Sequence, residues 1–371
     1  MVAALRADSY PHIPLARARP DASRFIDTIL GAARPERPPL VEYLVDEALR
    51  RPIVTGLMGR AWVGMDAGDA AAEAAYLDNV IAFWRQMGYD CVRYEESLPF
   101  VERELVGDDA TQVGGQRHWR DLHQGVIRTW DDLERYPWPE IGPETFRRYA
   151  YLNDHLPEGM GLLVCHGGGV YEHLAALFSY EGLCYALHDQ PEMVRAVADR
   201  LGELMLRFYE QLVELDRVVA IFPGDDMGFR TATLLPPAAL RSYTLPWHKR
   251  YAALAHAHGL PYLLHSCGNL AEIMDVLIDD VGIDAKHSFE DAILPVWEMQ
   301  ARYGDRIAML GGVDVDILTR QPPEGVRQRV REIIARCHPR GRFCIGSGNS
   351  IPSYVPIENY LAMIDEAQRP V

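Results

Sequence analysis

The stretch PYLLHSCGNL, residues 261–270, decides how this chain is read. Behind Gly259-Leu260, Pro261 to Leu264 form a short apolar run, closed by His265, Ser266, Cys267 and a Gly-Asn turn. Alternate residues on a strand share a face. His265 and Cys267 therefore aim an imidazole nitrogen and a sulfur at one point, and both suit a borderline-soft ion such as zinc. A buried cysteine beside a strand-end histidine has the same spelling, so the surrounding pattern has to decide.

On both sides, short apolar strands alternate with helical stretches. Strands are expected at 89–95, 162–165, 218–222, 262–265, 283–287, 307–310 and 343–345. From 162 onward the helical stretches between and after them are 171–180, 191–215, 236–258, 270–278, 293–303, 323–337 and 356–368. Such alternation means parallel βαβ units. No Gly-x-Gly-x-x-Gly opens a helix and no Walker loop is present, so a (β/α)8 TIM barrel is expected rather than a nucleotide-binding sheet. The eighth strand is sought in 114–127 or 53–57, and 101–139 reads as an excursion with a hairpin near 112–128. Residues 71–371 are assigned to the barrel, a single domain. Residues 1–70 are assigned to an N-terminal extension, an arm with short helices near 22–33 and 40–50 packed on it.

In such barrels the reacting groups sit at the carboxyl ends of the strands. Those ends supply Tyr94 and Glu95, His166, Asp225 and Asp226, His265 and Cys267, His287 and Glu290, Asp314 and Asn349. Asp225, Asp226 and Glu290 are the catalytic candidates; Tyr94, Glu95, His166, His287 and Asn349 are the substrate-binding ones. Adjacent residues face opposite ways on an extended chain, so only one of Asp225 and Asp226 is expected to point inward. Glu290 follows Phe289, and a carboxyl beside an aromatic ring can have the raised pKa that a general acid needs.

The 371 residues are 48% hydrophobic and 24% charged, the profile of an ordinary globular protein. Lys and Arg number 37 against 53 Asp and Glu, a net charge of −16, which argues against nucleic-acid and anionic-membrane partners. A small anionic substrate stays compatible through a local basic pocket. Six cysteines lie without close pairs, no secretory apolar stretch opens the sequence, and no apolar run approaches membrane-spanning length. A reduced, cytoplasmic protein is expected.

GDDMG (224–228), a helix beginning near Pro236-Pro237, HGLPYLLHSCGNL (258–270), VGIDAKHSFED (281–291), YGDRIAMLGGVD (303–314) and IPSYVPIENYLAMIDEA (351–367) follow one another in order. Over roughly residues 75–368 this chain resembles the uroporphyrinogen decarboxylase superfamily, which includes that decarboxylase and zinc-dependent methylcobamide methyltransferases. The resemblance implies a (β/α)8 barrel. On the methyltransferase side it implies that His265 and Cys267 are two of three zinc ligands. The third is a cysteine shortly before the Ile-Pro segment, and here that position holds Asn349. The third ligand must then be Cys344 or a carboxylate such as Glu290 or Asp226. Five residues along a strand is ~16 Å, which favours a carboxylate. The decarboxylase side has histidine at that position, and its paired N-terminal arginines are not matched by the setting of Arg50-Arg51.

The activity these features favour is zinc-dependent methyl transfer or demethylation, with the methyl group passing to a thiol or similar acceptor. A methyl-corrinoid on a partner protein is the implied carrier, and the acidic rim suits a small neutral or cationic acceptor. The alternative is a metal-free decarboxylase acting on a porphyrinogen-like or other carboxylate substrate, with Asp225 or Asp226 stabilising a cation. The resemblance also implies a homodimer.

Overall fold

Side chains alternate along each strand between two separate cores, and that alternation builds the wall. The computed structural model describes residues 5–65, 69–108 and 116–370. Strand β1 (Cys91–Glu96), β4 (Gly161–His166) and β5 (Val218–Ile221) form one parallel sheet, and β6 (Leu263–His265), β7 (Ala285–His287), β8 (Ala308–Leu310) and β9 (Phe343–Cys344) form another. Parallel bridges Ile221↔Tyr262 and Gly224↔His265 join the two. Outward-facing Val92, Tyr94, Leu162, Val164, Leu264 and Met309 pack into the layer shared with the helices. Inward-facing Cys91, Leu163, Ala220, Leu263, Ala285, Ala308, Leu310 and Cys344 meet in a second cluster. The small alanines and cysteines let so narrow an interior fill with side chains.

Val41 and Tyr43 belong to that inner cluster too. Residues 40–45 are the eighth wall segment, held beside β9 by the parallel bridges Leu40↔Ile345 and Val45↔Ile351. This corrects both the helix expected over 40–50 and the eighth strand sought in 53–57 or 114–127. Val41, Tyr43 and Val45 alternate at strand spacing, and their β-branched and aromatic side chains favour extended backbone. Helix begins only at Glu47–Pro52, behind the Asp46 cap. Ile53–Leu57 continues that helix as a π turn. In the 101–139 excursion, β2 (Glu104–Asp108) and β3 (Gln116–Arg120) form an antiparallel pair, while 109–115 lie outside the described residues. On the open side, the Arg93 guanidinium of β1 sits 3.7 Å over the Tyr43 ring.

The floor is a helix. Ala22–Leu30, capped by the Asp21 side chain and stopped by Gly31 at φ 71°, inserts Phe25 and Ile29 into the inner cluster. Each such burial is worth about 1.5–3 kcal/mol. At the lower end Arg24 of this helix pairs with the buried Asp90 just before β1, and the candidate reacting groups lie at the opposite, carboxyl-terminal rim. Among the described residues no helix is long and apolar enough to cross a membrane.

Candidate metal centre

β6 carries Leu263 into the inner cluster, His265 one layer above it, and Cys267 just past the strand end. Asp226 arrives from the loop after β5. The two loops touch backbone to backbone, with Gly228 N donating to the Cys267 carbonyl at 3.1 Å. A Cβ on Gly228 would lie 2.5 Å from that oxygen, so only glycine allows the approach. The Asp226 Oδ1 atom accepts from Cys267 N at 2.9 Å and lies 3.4 Å from His265 Nε2. Cys267 Sγ is also 3.4 Å from His265 Nε2. One oxygen, one nitrogen and one sulfur thus lie within 4.8 Å of one another.

The protons in this group can be placed. His287 Nε2 faces the Ser347 carbonyl at 3.2 Å, and a carbonyl only accepts, so Nε2 carries a proton. Burial pushes the His287 imidazolium well below its ordinary range, so His287 is neutral and its Nδ1 is an acceptor. His265 Nδ1 must then donate to it across 2.6 Å. Burial lowers the His265 imidazolium below its ordinary range as well, so at neutral pH the ring is neutral and its Nε2 lone pair is aimed at Asp226 and Cys267, a repulsive arrangement unless a cation lies between them. Tyr43 stacks on the His265 ring at 4.0 Å and fixes its plane.

The sulfur is treated as an anion by its neighbours. Asn349 Nδ2 lies 3.1 Å from Cys267 Sγ, and the amide cannot be turned round because its Oδ1 accepts from Ser350 N at 2.7 Å. Ser288 Oγ adds a longer contact at 3.7 Å. Burial and the Asp226 charge push the Cys267 thiol up to about 12, so a thiolate at neutral pH requires a further positive charge. Burial also acts to raise the Asp226 carboxyl; when pH falls and His265 takes a proton at Nε2, that N–H and its charge, with the Cys267 amide, outweigh burial and hold the carboxyl at about 2. A bare imidazole nitrogen, an ionised carboxylate and a sulfur set to accept are a donor set that fits zinc.

The other expected residues are placed as follows. Asp225 is fully buried and turned away from the mouth: it accepts from Tyr171 N and Glu172 N, both at 3.0 Å, and from His248 Nε2 at 2.9 Å. It pins the helix Val170–Phe178 to the end of β5. Cys344 is not brought to His265 and Cys267. It lies a layer lower in the inner cluster, near Cys91. Glu290 is half-buried at the rim; burial, then the Asp314 charge, raises its pKa, and it stands outside the three-residue group. Tyr94 faces outward, edge-on to Tyr149. His166 is buried with both nitrogens used, Nε2 accepting from Leu98 N at 2.9 Å and Nδ1 donating to the Gly168 carbonyl at 3.2 Å. Glu95 points inward and pairs with Arg93 at 2.5 Å.

The sequence reading assigns no role to three cations. Lys286 is buried, its Nζ 2.5 Å from the Ser288 carbonyl, and burial lowers its pKa to about 8. Arg93 and Arg50 line a cavity of about 80 Å³ on which Tyr43 also borders. The Nε atoms of both arginines are buried without a hydrogen-bond partner. Against two guanidiniums this cavity offers, among the described residues, one carboxylate, Glu95, so a single positive charge is left over. A signal existed: Arg93 and Lys286 each stand in the middle of a short strand, where a charge is kept only with a partner or a use.

A family profile described as uroporphyrinogen decarboxylase matches residues 78–370. A uroporphyrinogen decarboxylase from Chloroflexus aggregans is 27% identical over 211 residues, 54% of this chain and 53% of that protein. The match thus spans about half the length of that relative. Among solved structures, a methyltransferase from Methanosarcina mazei superposes with a TM-score of 0.66, covering 93% of this chain and 97% of the other. At 14% identity that likeness is one of fold.

Proposed function

This chain belongs to the uroporphyrinogen decarboxylase family, and from that premise we propose that it is a zinc-dependent methyltransferase or demethylase whose metal is held by Asp226, His265 and Cys267. The observation that carries the proposal is the proton order Ser347–His287–His265, which leaves the His265 Nε2 lone pair bare 3.4 Å from both other ligand atoms. Zinc bound there would supply a Lewis acid with an open position at which an acceptor thiol is deprotonated near neutral pH. The protein's own residues do the rest. His287 fixes the tautomer of His265, Asn349 and Ser288 stabilise the sulfur, and the closed floor keeps water from entering below.

The leftover charge at Arg50 and Arg93 revises the expected acceptor. A monoanionic group seated there, one ring away from His265 across Tyr43, neutralises the cavity. An anionic small molecule fits this arrangement better than the neutral or cationic one that the rim alone implied. The methyl donor we assign to a corrinoid on a partner protein.

Metal analysis of protein purified without a histidine tag tests the proposal. Wild type and Cys344→Ser should hold about one zinc per chain, and Cys267→Ser and His265→Ala should hold little. Wild-type protein that stays metal-free in excess zinc refutes it and favours the metal-free decarboxylase, whose name the Chloroflexus relative bears.

A further inference from the structure

Both ligands with outer partners, His265 and Cys267, depend on one short turn. The Ser347 carbonyl orients His287 and through it His265, while Asn349 donates to the Cys267 sulfur at 3.1 Å. That turn is tied in its turn to the wall segment 40–45. Ser347 N donates to Glu42 Oε1 at 2.8 Å, and Ser347 Oγ is in hydrogen-bond contact with both Glu42 Oε2 and the Asn349 carbonyl. The approach leaves no slack, since a Cβ on Gly346 would fall 1.7 Å from the Val41 carbonyl and 3.1 Å from Glu42 Oε1.

Counting protons decides the state of Glu42. The Asn349 carbonyl can only accept, so the single Ser347 hydroxyl proton is used there. The Glu42 oxygen facing the Ser347 oxygen must therefore bring a proton of its own. Glu42 is 1% exposed, and among the described residues no basic side chain pairs with it. The other titratable groups facing it are the Tyr89 and Tyr360 hydroxyls, bonded to each other at 2.9 Å. Burial raises the carboxyl to about 8, which agrees with the proton count.

We infer that Glu42 is a positioning residue that works as a neutral carboxylic acid: it donates to Ser347 Oγ, accepts from Ser347 N, and so holds His265 and Cys267 in ligating geometry. Its role toward the metal rests on the Asp226–His265–Cys267 reading; its protonation does not. Glutamine reproduces a neutral acid at this place, with one acceptor and one donor, whereas alanine reproduces neither.

Zinc affinity measured against a chromophoric chelator tests the inference. At pH 7, Glu42→Gln should stay within about twofold of wild type, and Glu42→Ala should lose roughly 10–100-fold, the scale of other outer partners of metal ligands. As pH rises through 8 the wild type should weaken relative to Glu42→Gln, because the Lys286 proton lost near 8 is common to both proteins and cancels in the ratio, whereas the Glu42 proton is lost by the wild type alone. By pH 9 the ratio should reach about tenfold. Should Glu42→Ala fail to fold, the wild-type and Glu42→Gln pH profiles still decide. A Glu42→Gln protein that loses zinc tenfold at pH 7, or profiles that run parallel to pH 9, overturns the inference while leaving the metal site standing. A wild type that binds no zinc instead defeats the metal reading. In that event an infrared carbonyl band of a neutral acid, present in metal-free wild type and absent from Glu42→Gln, reads Glu42 protonation separately.

Discussion

Replacing Asn349 by alanine removes the donor closest to the Cys267 sulfur, and the consequence can be sized. The amide nitrogen lies 3.1 Å from Sγ, within reach of a hydrogen bond to sulfur, and its orientation is locked by Ser350 N. A hydrogen bond to a charged acceptor contributes about 1.5–3 kcal/mol. Asn349 is half-buried, so water partly replaces the lost donor and the lower end of that range applies. The remaining donor, Ser288 Oγ at 3.7 Å, is too distant to compensate. About 1.5 kcal/mol corresponds to roughly tenfold in zinc affinity at pH 7. The sign follows from the thiolate. With one donor fewer the thiol pKa rises, protons compete better with the metal, and the pH midpoint of zinc uptake moves upward by about one unit. A competition titration repeated from pH 6 to 9 measures both quantities. Unchanged affinity with an unmoved midpoint, or tighter binding, would show that Asn349 does not serve the sulfur and would refute the reasoning.

Three further outcomes are expected. Arg50→Gln removes the uncompensated cation of the 80 Å³ cavity, so KM for an anionic substrate should rise by about tenfold or more with kcat little changed; a fall in kcat alone would contradict this. Asp225→Ala strips a buried acceptor from two amides and His248, and should cost about 3–5 kcal/mol in denaturant unfolding while the folded fraction keeps its zinc. Loss of zinc at unchanged stability would instead place Asp225 in the site. In metal-free protein the Asp226 carboxyl is held at about 2, below the roughly 3.9 of an unfolded chain, so its contribution to stability is complete above that value and is lost as pH falls from about 4 to 2. Its side chain is 41% exposed, which makes the loss smaller than the shift alone implies; an equal acid loss in Asp226→Asn would disprove the assignment.

What the residues alone determined was what depends on local periodicity. Period two on 261–267 puts His265 and Cys267 on one face whatever surrounds them, and the alternation of apolar strands with helices from 162 onward specifies parallel units. The distance argument against Cys344 was local too, since it needs only the rise per residue of a strand. Residues 40–45 were misread because their inward and outward sides are both largely buried, Val41 and Tyr43 among the inner cluster and Glu42 against Ser347, so little polar alternation marks the strand.

Tertiary structure decided whatever rests on partners distant in the chain. Whether Asp225 or Asp226 faces His265 and Cys267 depends on Tyr171, Glu172 and His248 capturing the first and the Cys267 amide the second. The tautomer of His265 is set by Ser347 through His287, and the proton on Glu42 by a serine 305 positions away. Each of these is a choice between states that are nearly equal for the isolated residue. Only the buried hydrogen-bond partners that folding brings together make one state cheaper than the other by several kcal/mol.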